Sequence, residues 1–310
     1  MPKNHPNQKE TIVGRFAPSP TGPLHFGSLI AATASYLSAR SYKNNRWLLR
    51  IEDLDSQRSK QQHTQSIIQT LETFGFKWDD KIGYQSNRTH AYQKALDLLN
   101  NDTYPCSCTR KFLQASISSE DKFGYVYPGF CRNGLNKIDS SHISIRLKTQ
   151  AVKTCFTDIF QGKFCQSLSE DVGDFILKRA DDYFAYQLAV VVDDASQGVN
   201  QIIRGADLFD NTPRQIYLQK LLGYSTPDYG HFPVAVTSNG KKLSKQNLAP
   251  EVNTKNKRAL IIQVLSFLGQ TTPDLKDFSN LDDLWSYAVQ NWDQTKVPKI
   301  LTQQINIGLK

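Results

Sequence analysis

The sequence predicts an α/β fold built on a doubly wound, Rossmann-type sheet, and three observations carry that prediction. Between Thr11 and Glu52 a strand pattern, a helix pattern and a second strand pattern follow one another, the βαβ unit whose strands pair parallel through a right-handed crossover. The turn between the first two is studded with Pro and Gly and opens straight into a helix, which is how a phosphate-cradling helix N-terminus is built. Alternating strand and helix patterns then return after Asp171.

In chain order, residues 1–10 read as a disordered polar tail. The stretch "TIVGRFA" is the first strand, residues 28–40 the first helix and "RWLLRIE" the second strand. A helix over 61–74 places Ile67, Ile68, Leu71 and Phe74 on one face, and another is expected over 90–99. Residues 11–104 thus form the first half of the sheet domain. Residues 105–171 read as an insertion of cysteines, Gly/Pro turns and one short alternating strand, "HISIRLK". Residues 172–250 resume the domain with strand patterns in "DFILK", "AYQLAVVVDD", "VNQIIRG" and "FPVAV", a helix over 212–222 and a lysine-rich loop. Residues 251–310 read as helical, in "KNKRALIIQVLSFLG" and "LDDLWSYAVQNW", with no strand signal.

The chain has 310 residues, 39% of them apolar, enough for a substantial core. No apolar run approaches the roughly 20 residues of a membrane helix, and no apolar segment follows the polar N-terminus. A cytoplasmic monomer without membrane contact is the expectation. The formal charge of +8 favours a polyanionic partner over a merely solvated basic surface. Five cysteines, an odd number, argue against a disulfide framework, and Cys155 and Cys165 read as buried small hydrophobes. Cys106 and Cys108 form a C-x-C pair, and "YVYPGFC" adds Tyr127 and Cys131. Thiols at that density suit a structural Zn²⁺, which takes four ligands, so either His142 or Tyr127 would complete the set. Unliganded cysteines are the alternative.

Two further stretches carry chemistry. In "GRFAPSPTGPLHFGSL" three prolines stiffen the turn, Gly27 allows a base or phosphate close to the backbone, and His25 can donate a hydrogen bond to a phosphate oxygen as charge builds there. In "NGKKLSKQN", Lys241, Lys242 and Lys245 would clamp a triphosphate; taken alone they would be a solvated basic turn.

Together these stretches resemble the two signature motifs of class I aminoacyl-tRNA synthetases, "HFGS" the first and "KLSKQ" the second. The order of "GRFAPSPTGPLHFGSL", "LLRIEDLD", "YQLAVVVDD" and "IIRGADL" resembles the glutamyl branch, over roughly residues 12–250. Phe26 and Ser28 depart from the isoleucine and second histidine of the first motif, so that imidazole's share of phosphate stabilisation must come from elsewhere. The resemblance implies ATP bound by His25, Gly27, Ser28, Lys242, Leu243, Ser244 and Lys245 with Mg²⁺, and catalysis by His25, Lys242 and Lys245. It implies L-glutamate held by Arg15, Ala17, Ser19, Glu52, Tyr186 and Arg204. Charge matching agrees with that set, since a ligand with two carboxylates and an ammonium asks for arginines and an acid. Asp53 and Asp55 read as an exposed acidic loop capping the next helix.

Within the branch, the C-x-C…Y-x₃-C insertion, the "KLSKQN" ending and the lack of room after Pro250 for an anticodon-reading domain resemble the glutamyl-queuosine tRNA(Asp) synthetases. That resemblance implies glutamate activation without tRNA, transfer to the queuosine of tRNA(Asp), and Cys106, Cys108, Tyr127 and Cys131 around one Zn²⁺. Three other readings fit the same residues: a short glutamyl-tRNA synthetase charging the tRNA 3′ end, an inactive RNA-binding paralogue, and a ligase for a small acceptor.

Overall fold

The computed structural model describes residues 11–116, 126–135, 142–242 and 251–305. Strand β1 (Ile12–Phe16), helix α1 (Phe26–Arg40) and strand β2 (Asn45–Ile51) form the expected βαβ unit, with Ile12 beside Asn45 and Phe16 beside Leu49 in parallel register. Helix α1 is buried along most of its length, and its small residues explain why. They let the helix lie close on the sheet, where a Cβ on Gly14 would come within 3.0 Å of Ala39 Cβ. Helix α2 (Gln61–Thr73), the two-residue strand β3 (Gly83–Tyr84) beside β2, and helix α3 (Thr89–Leu98) complete the first half.

The second parallel pair is β9 (Gln201–Gly205) with β10 (Asp228–Phe232). Asn200 joins the halves: its N–H donates to Val13 O at 3.0 Å, its Oδ1 accepts from Val13 N at 2.9 Å, and its carbonyl receives Asp228 N at 2.9 Å. The strand order across the molecule is therefore β3, β2, β1, β9, β10, and the direction of progression reverses between β1 and β9. A crevice opens beyond the carboxyl ends of strands at such a reversal.

Between the halves lie an antiparallel sheet of β4 (Thr103–Cys106), β5 (Ser144–Leu147) and β8 (Phe175–Lys178), the short helices α4 (Arg110–Ser116) and α5 (Leu168–Asp171), and a hairpin of β6 (Lys153–Asp158) and β7 (Gly162–Ser167). "DFILK" therefore pairs with the inserted sheet rather than resuming the parallel one. The hairpin lies against β10, where Ile159 N donates to Tyr229 O at 2.8 Å. Cys155 and Cys165 face each other across it and form a disulfide, with Cys155 exposed, so neither is the buried small hydrophobe expected. Strand partners at such a register come close enough to bond, which spacing alone does not reveal.

"AYQLAVVVDD", expected as a strand, is helix α6 (Tyr186–Ser196). Leu188 to Asp194 are all buried, so the helix has no polar face along that stretch to break the apolar run into a helical period. Helix α7 (Asn211–Leu221) packs beside it. Strand β11 (Val234–Val236) follows, then helices α8 (Lys257–Phe267) and α9 (Leu281–Gln290), and β12 (Thr302–Gln304) pairs parallel with β11. The last is a strand where none was expected; three polar residues carry no alternating pattern to announce it. Trp285 of α9 anchors this region to the first half, donating to Phe74 O at 2.8 Å and meeting Tyr36 and Phe76 edge-on or tilted.

Candidate active site

A cavity of about 510 Å³ occupies the crevice, and every predicted ATP or glutamate residue within the described segments lines it: Arg15, Ala17, Ser19, His25, Gly27, Ser28, Glu52, Tyr186, Arg204 and Lys242. Leu243, Ser244 and Lys245 lie outside the described residues. Arg15 and Arg204 come from the carboxyl ends of β1 and β9, on either side of the reversal, Glu52 follows β2, and Gly27 and Ser28 occupy the first turn of α1.

Beneath the arginines lies a buried charge network. Arg15 Nε and Nη2 donate to the two oxygens of Asp194 at 3.2 and 3.4 Å. Arg50, 1% exposed, donates to Asp194 at 2.7 Å, to Gln197 at 2.6 Å and to Glu52 at 3.4 Å. Asp193 is bound by Arg88, Gln85 and Tyr92. Burial opposes charge on Asp194, but Arg15 and Arg50 hold its carboxyl below the usual range. For Glu52 the balance reverses, because burial outweighs Arg50 and Arg15 and lifts the carboxyl above its ordinary value. The helical reading of α6 is what makes this network: Asp193 and Asp194, consecutive on its buried stretch, point to different partners, Asp193 to Arg88 and Asp194 to Arg15 and Arg50. Read as strand residues, the two aspartates gave no such signal.

Arg204 is 5% exposed and held on three sides. Its Nε lies 2.9 Å from His231 Nε2, its Nη2 donates to Thr212 Oγ1 at 2.9 Å, and its Nη1 donates to Tyr186 Oη at 3.3 Å. Burial raises the Tyr186 phenol, keeping it protonated near neutral pH.

At the phosphate end, His25 is the N-cap of α1: its Nδ1 accepts from Ser28 N at 3.3 Å. A ring nitrogen that accepts carries no proton, so in the neutral ring the hydrogen sits on Nε2. The helix N-terminus beside it favours anions. Lys242 Nζ pairs with Asp207 Oδ2 at 2.6 Å; both line the cavity, and sequence reasoning had not singled out Asp207. Asp53 and Asp55 do not cap the next helix. Asp53 accepts from Ser86, and Asp55 from Arg58 and Arg179.

Away from the cavity, Cys106, Cys108 and Cys131 place their sulfurs within 4.8 Å of one another. The Tyr127 oxygen lies 3.3 Å from Cys106 Sγ and 3.6 Å from Cys108 Sγ, and accepts Cys131 N at 3.1 Å. Four ligands about 2.3 Å from a tetrahedral ion stand ~3.8 Å apart, so these separations suit one. Exposed His142 is not part of this group. Arg146 supports it, donating to Cys106 Sγ at 3.2 Å with its guanidinium 3.7 Å from the Tyr127 ring centre. Burial pushes the Cys108 thiol up to about 12, so a cation is needed to make it a thiolate at neutral pH. Gly173, at φ +70°, meets the backbone of Tyr127 so closely that a Cβ would fall 2.4 Å from Tyr127 O. Only glycine permits that junction.

Comparison with known proteins places these features in context. Residues 11–306 match the family model of the catalytic domain of tRNA synthetases class I (E and Q). The glutamyl-Q tRNA(Asp) synthetase of Dechloromonas aromatica (strain RCB) is 47% identical over 289 residues, 92% of this chain and 95% of that protein. The protein of the same name from Neisseria meningitidis serogroup C is 45% identical over 291 residues, 92% of this chain and 97% of that protein. Among solved structures, the glutamate-tRNA synthetase of Elizabethkingia anophelis superposes with a TM-score of 0.78 at 24% identity, covering 96% of this chain and 68% of that one, a likeness of fold.

Proposed function

This chain belongs to the glutamyl-Q tRNA(Asp) synthetases, within the class I tRNA synthetase (E and Q) family, and from that membership we infer that it activates glutamate with ATP and transfers it to the queuosine of tRNA(Asp). The observation that carries the site assignment is that one cavity is lined by the described members of both predicted residue sets.

One part of that cavity is complementary to glutamate. Two guanidiniums and one carboxylate, Arg15, Arg204 and Glu52, answer a ligand with two carboxylates and one ammonium. Arg204 receives the side-chain carboxylate with the Tyr186 hydroxyl beside it, and Glu52 takes the ammonium. His25, Gly27, Ser28 and Lys242 face the phosphates, with Lys245 completing the clamp. Mg²⁺ arrives with ATP as part of the substrate.

In the first step an oxygen of the glutamate α-carboxylate attacks the α-phosphorus, the bond to the β-phosphate oxygen breaks, and pyrophosphate leaves. The protein forms no bond to either reactant, so its contribution is placement and charge neutralisation as negative charge spreads over the phosphates. The His25 N–H and the lysine ammoniums supply that neutralisation, and Asp207 must surrender Lys242 to the phosphates when ATP binds. In the second step a hydroxyl of the queuosine cyclopentene diol attacks the anhydride carbonyl and AMP leaves. The three thiols and Tyr127 would hold a structural Zn²⁺, stapling a segment with little core of its own.

The test is ATP–pyrophosphate exchange without RNA. Glutamate should support exchange, and glutamine and aspartate should not. Exchange absent with every amino acid would overturn the activation step.

A further inference from the structure

Behind Arg204 stand two groups that do not reach the cavity. Asp158, at the end of β6, and His231, on β10, are both fully buried, and Asp158 Oδ2 lies 2.6 Å from His231 Nδ1. The other Asp158 oxygen is taken: it accepts the backbone N–H of Phe160 at 2.9 Å, Gln161 at 3.0 Å and His231 at 3.1 Å. Arg204 Nε can only donate, so His231 Nε2 at 2.9 Å must accept, and Nδ1 must carry the ring proton and give it to Asp158. Burial outweighs the Asp158 hydrogen bond and pushes the imidazole down to about 4, so the ring is neutral near pH 7. Asp158 stays ionised despite its burial, because His231 and the backbone N–H groups bond its charged form. The hydrogen bonds therefore run one way, from Arg204 to His231 to Asp158. With Nη1 on Tyr186 and Nη2 on Thr212, all three guanidinium nitrogens are tied, leaving one N–H on each Nη for a ligand.

We propose that Asp158 and His231 are positioning residues of the amino-acid site, fixing the plane of Arg204 so that its two remaining N–H groups meet the side-chain carboxylate of glutamate. This rests on the reading that Arg204 receives that carboxylate. It also gives the pair a part in specificity: a guanidinium held in one plane opposes the N–H₂ of glutamine with fixed donors, whereas a loosened one can move aside.

Asp158→Asn is the discriminating substitution. Its amide oxygen must serve the three backbone N–H groups, so its N–H₂ faces His231 Nδ1 and the ring shifts its proton to Nε2, where it opposes the Arg204 Nε–H and can turn only to Thr212 Oγ1, 3.2 Å away and already accepting from Arg204 Nη2. The KM for glutamate should rise about tenfold or more, the scale of a buried donor left unmatched, while that for ATP stays within about twofold. Preference for glutamate over glutamine should fall by a similar factor. His231→Gln offers an acceptor and a donor with the same polarity and should retain most of the affinity, while His231→Leu should not. Nitrogen-15 spectra of histidine-labelled protein, with only six histidines to assign, should place the His231 proton on Nδ1 in the wild type and on Nε2 in Asp158→Asn.

A wild-type proton on Nε2, or a folded Asp158→Asn protein with an unchanged KM for glutamate, would overturn the proposal. If Asp158→Asn does not fold, the wild-type spectrum and the two His231 variants decide. Arg204→Ala separates the two levels. If it alters glutamate and ATP equally, the reading of Arg204 fails; if it is glutamate-selective while the Asp158 and His231 variants are not, only the positioning proposal fails.

Discussion

Asp194→Asn should weaken the fold and the amino-acid site together. Two buried guanidiniums, on Arg15 (4% exposed) and Arg50 (1%), converge on this one carboxylate at 3.2 and 2.7 Å. An amide there keeps one acceptor and turns an N–H₂ toward an arginine. Breaking a buried pair in this way costs about 3–5 kcal/mol. At about 2–4 °C per kcal/mol for domains of 150–250 residues, and less for a longer chain, Tm should fall by roughly 5–15 °C. The sign of the pH dependence follows from the depressed carboxyl. Its stabilisation is present above the unfolded-state value of about 3.9 and is lost as pH falls through the lower native value, so the gap between wild type and variant should be full at pH 7 and close in acid. Thermal unfolding followed by calorimetry at pH 7 and in steps toward pH 3 measures it, with the KM for glutamate reporting the loss of the Arg15 anchor. A Tm within 2 °C of wild type at pH 7, or a gap that does not change with pH, would refute the reasoning.

Glutamate affinity should fall as pH drops through the raised Glu52 value, because a neutral carboxyl loses its attraction for the ligand ammonium; exchange kinetics followed from neutral pH downward should show KM rising toward acid, and Glu52→Gln should flatten the profile. Lys242→Ala should reduce pyrophosphate exchange about 10²-fold while Tm hardly moves, since the lost Asp207 pair is a partly exposed one; near-normal exchange would remove Lys242 from the phosphate site. Purified protein should carry about one Zn²⁺ per chain by elemental analysis, and Cys106→Ser should lose it along with local protease resistance.

Much of this architecture was legible in the sequence where local pattern and burial agree. The strand of "TIVGRFA", the small-residue helix after "HFGS" and the strand of "RWLLRIE" all read correctly, because one face or both are buried. The helix α6 misled for a physical reason: it is buried without a break from Leu188 to Asp194, its valines favour a strand locally, and only tertiary packing overrides them. Strand β12 was silent because three polar residues join the sheet at an edge. Among the described site residues, the motifs led to those that line the cavity. They did not lead to Asp194, Asp158 or His231, which act from behind it. Nothing local distinguishes the aspartate closing β6 from any other turn acid; its value comes from a histidine 73 residues away. The Cys155–Cys165 pair was hidden in the same way, since only a hairpin register brings those two together.

The central claim concerns the acceptor, and its most direct test is transfer of labelled glutamate to a bare anticodon stem-loop of tRNA(Asp). If the active site receives the anticodon arm, the +8 chain should grip the stem-loop phosphates directly, with affinity falling steeply as salt rises. A stem-loop bearing queuosine should be glutamylated nearly as well as whole tRNA(Asp), nuclease digestion should place the label on the queuosine nucleoside, and a stem-loop bearing guanosine there should take up none. An inert queuosine stem-loop, with tRNA(Glu) labelled instead at its terminal adenosine, would contradict the account.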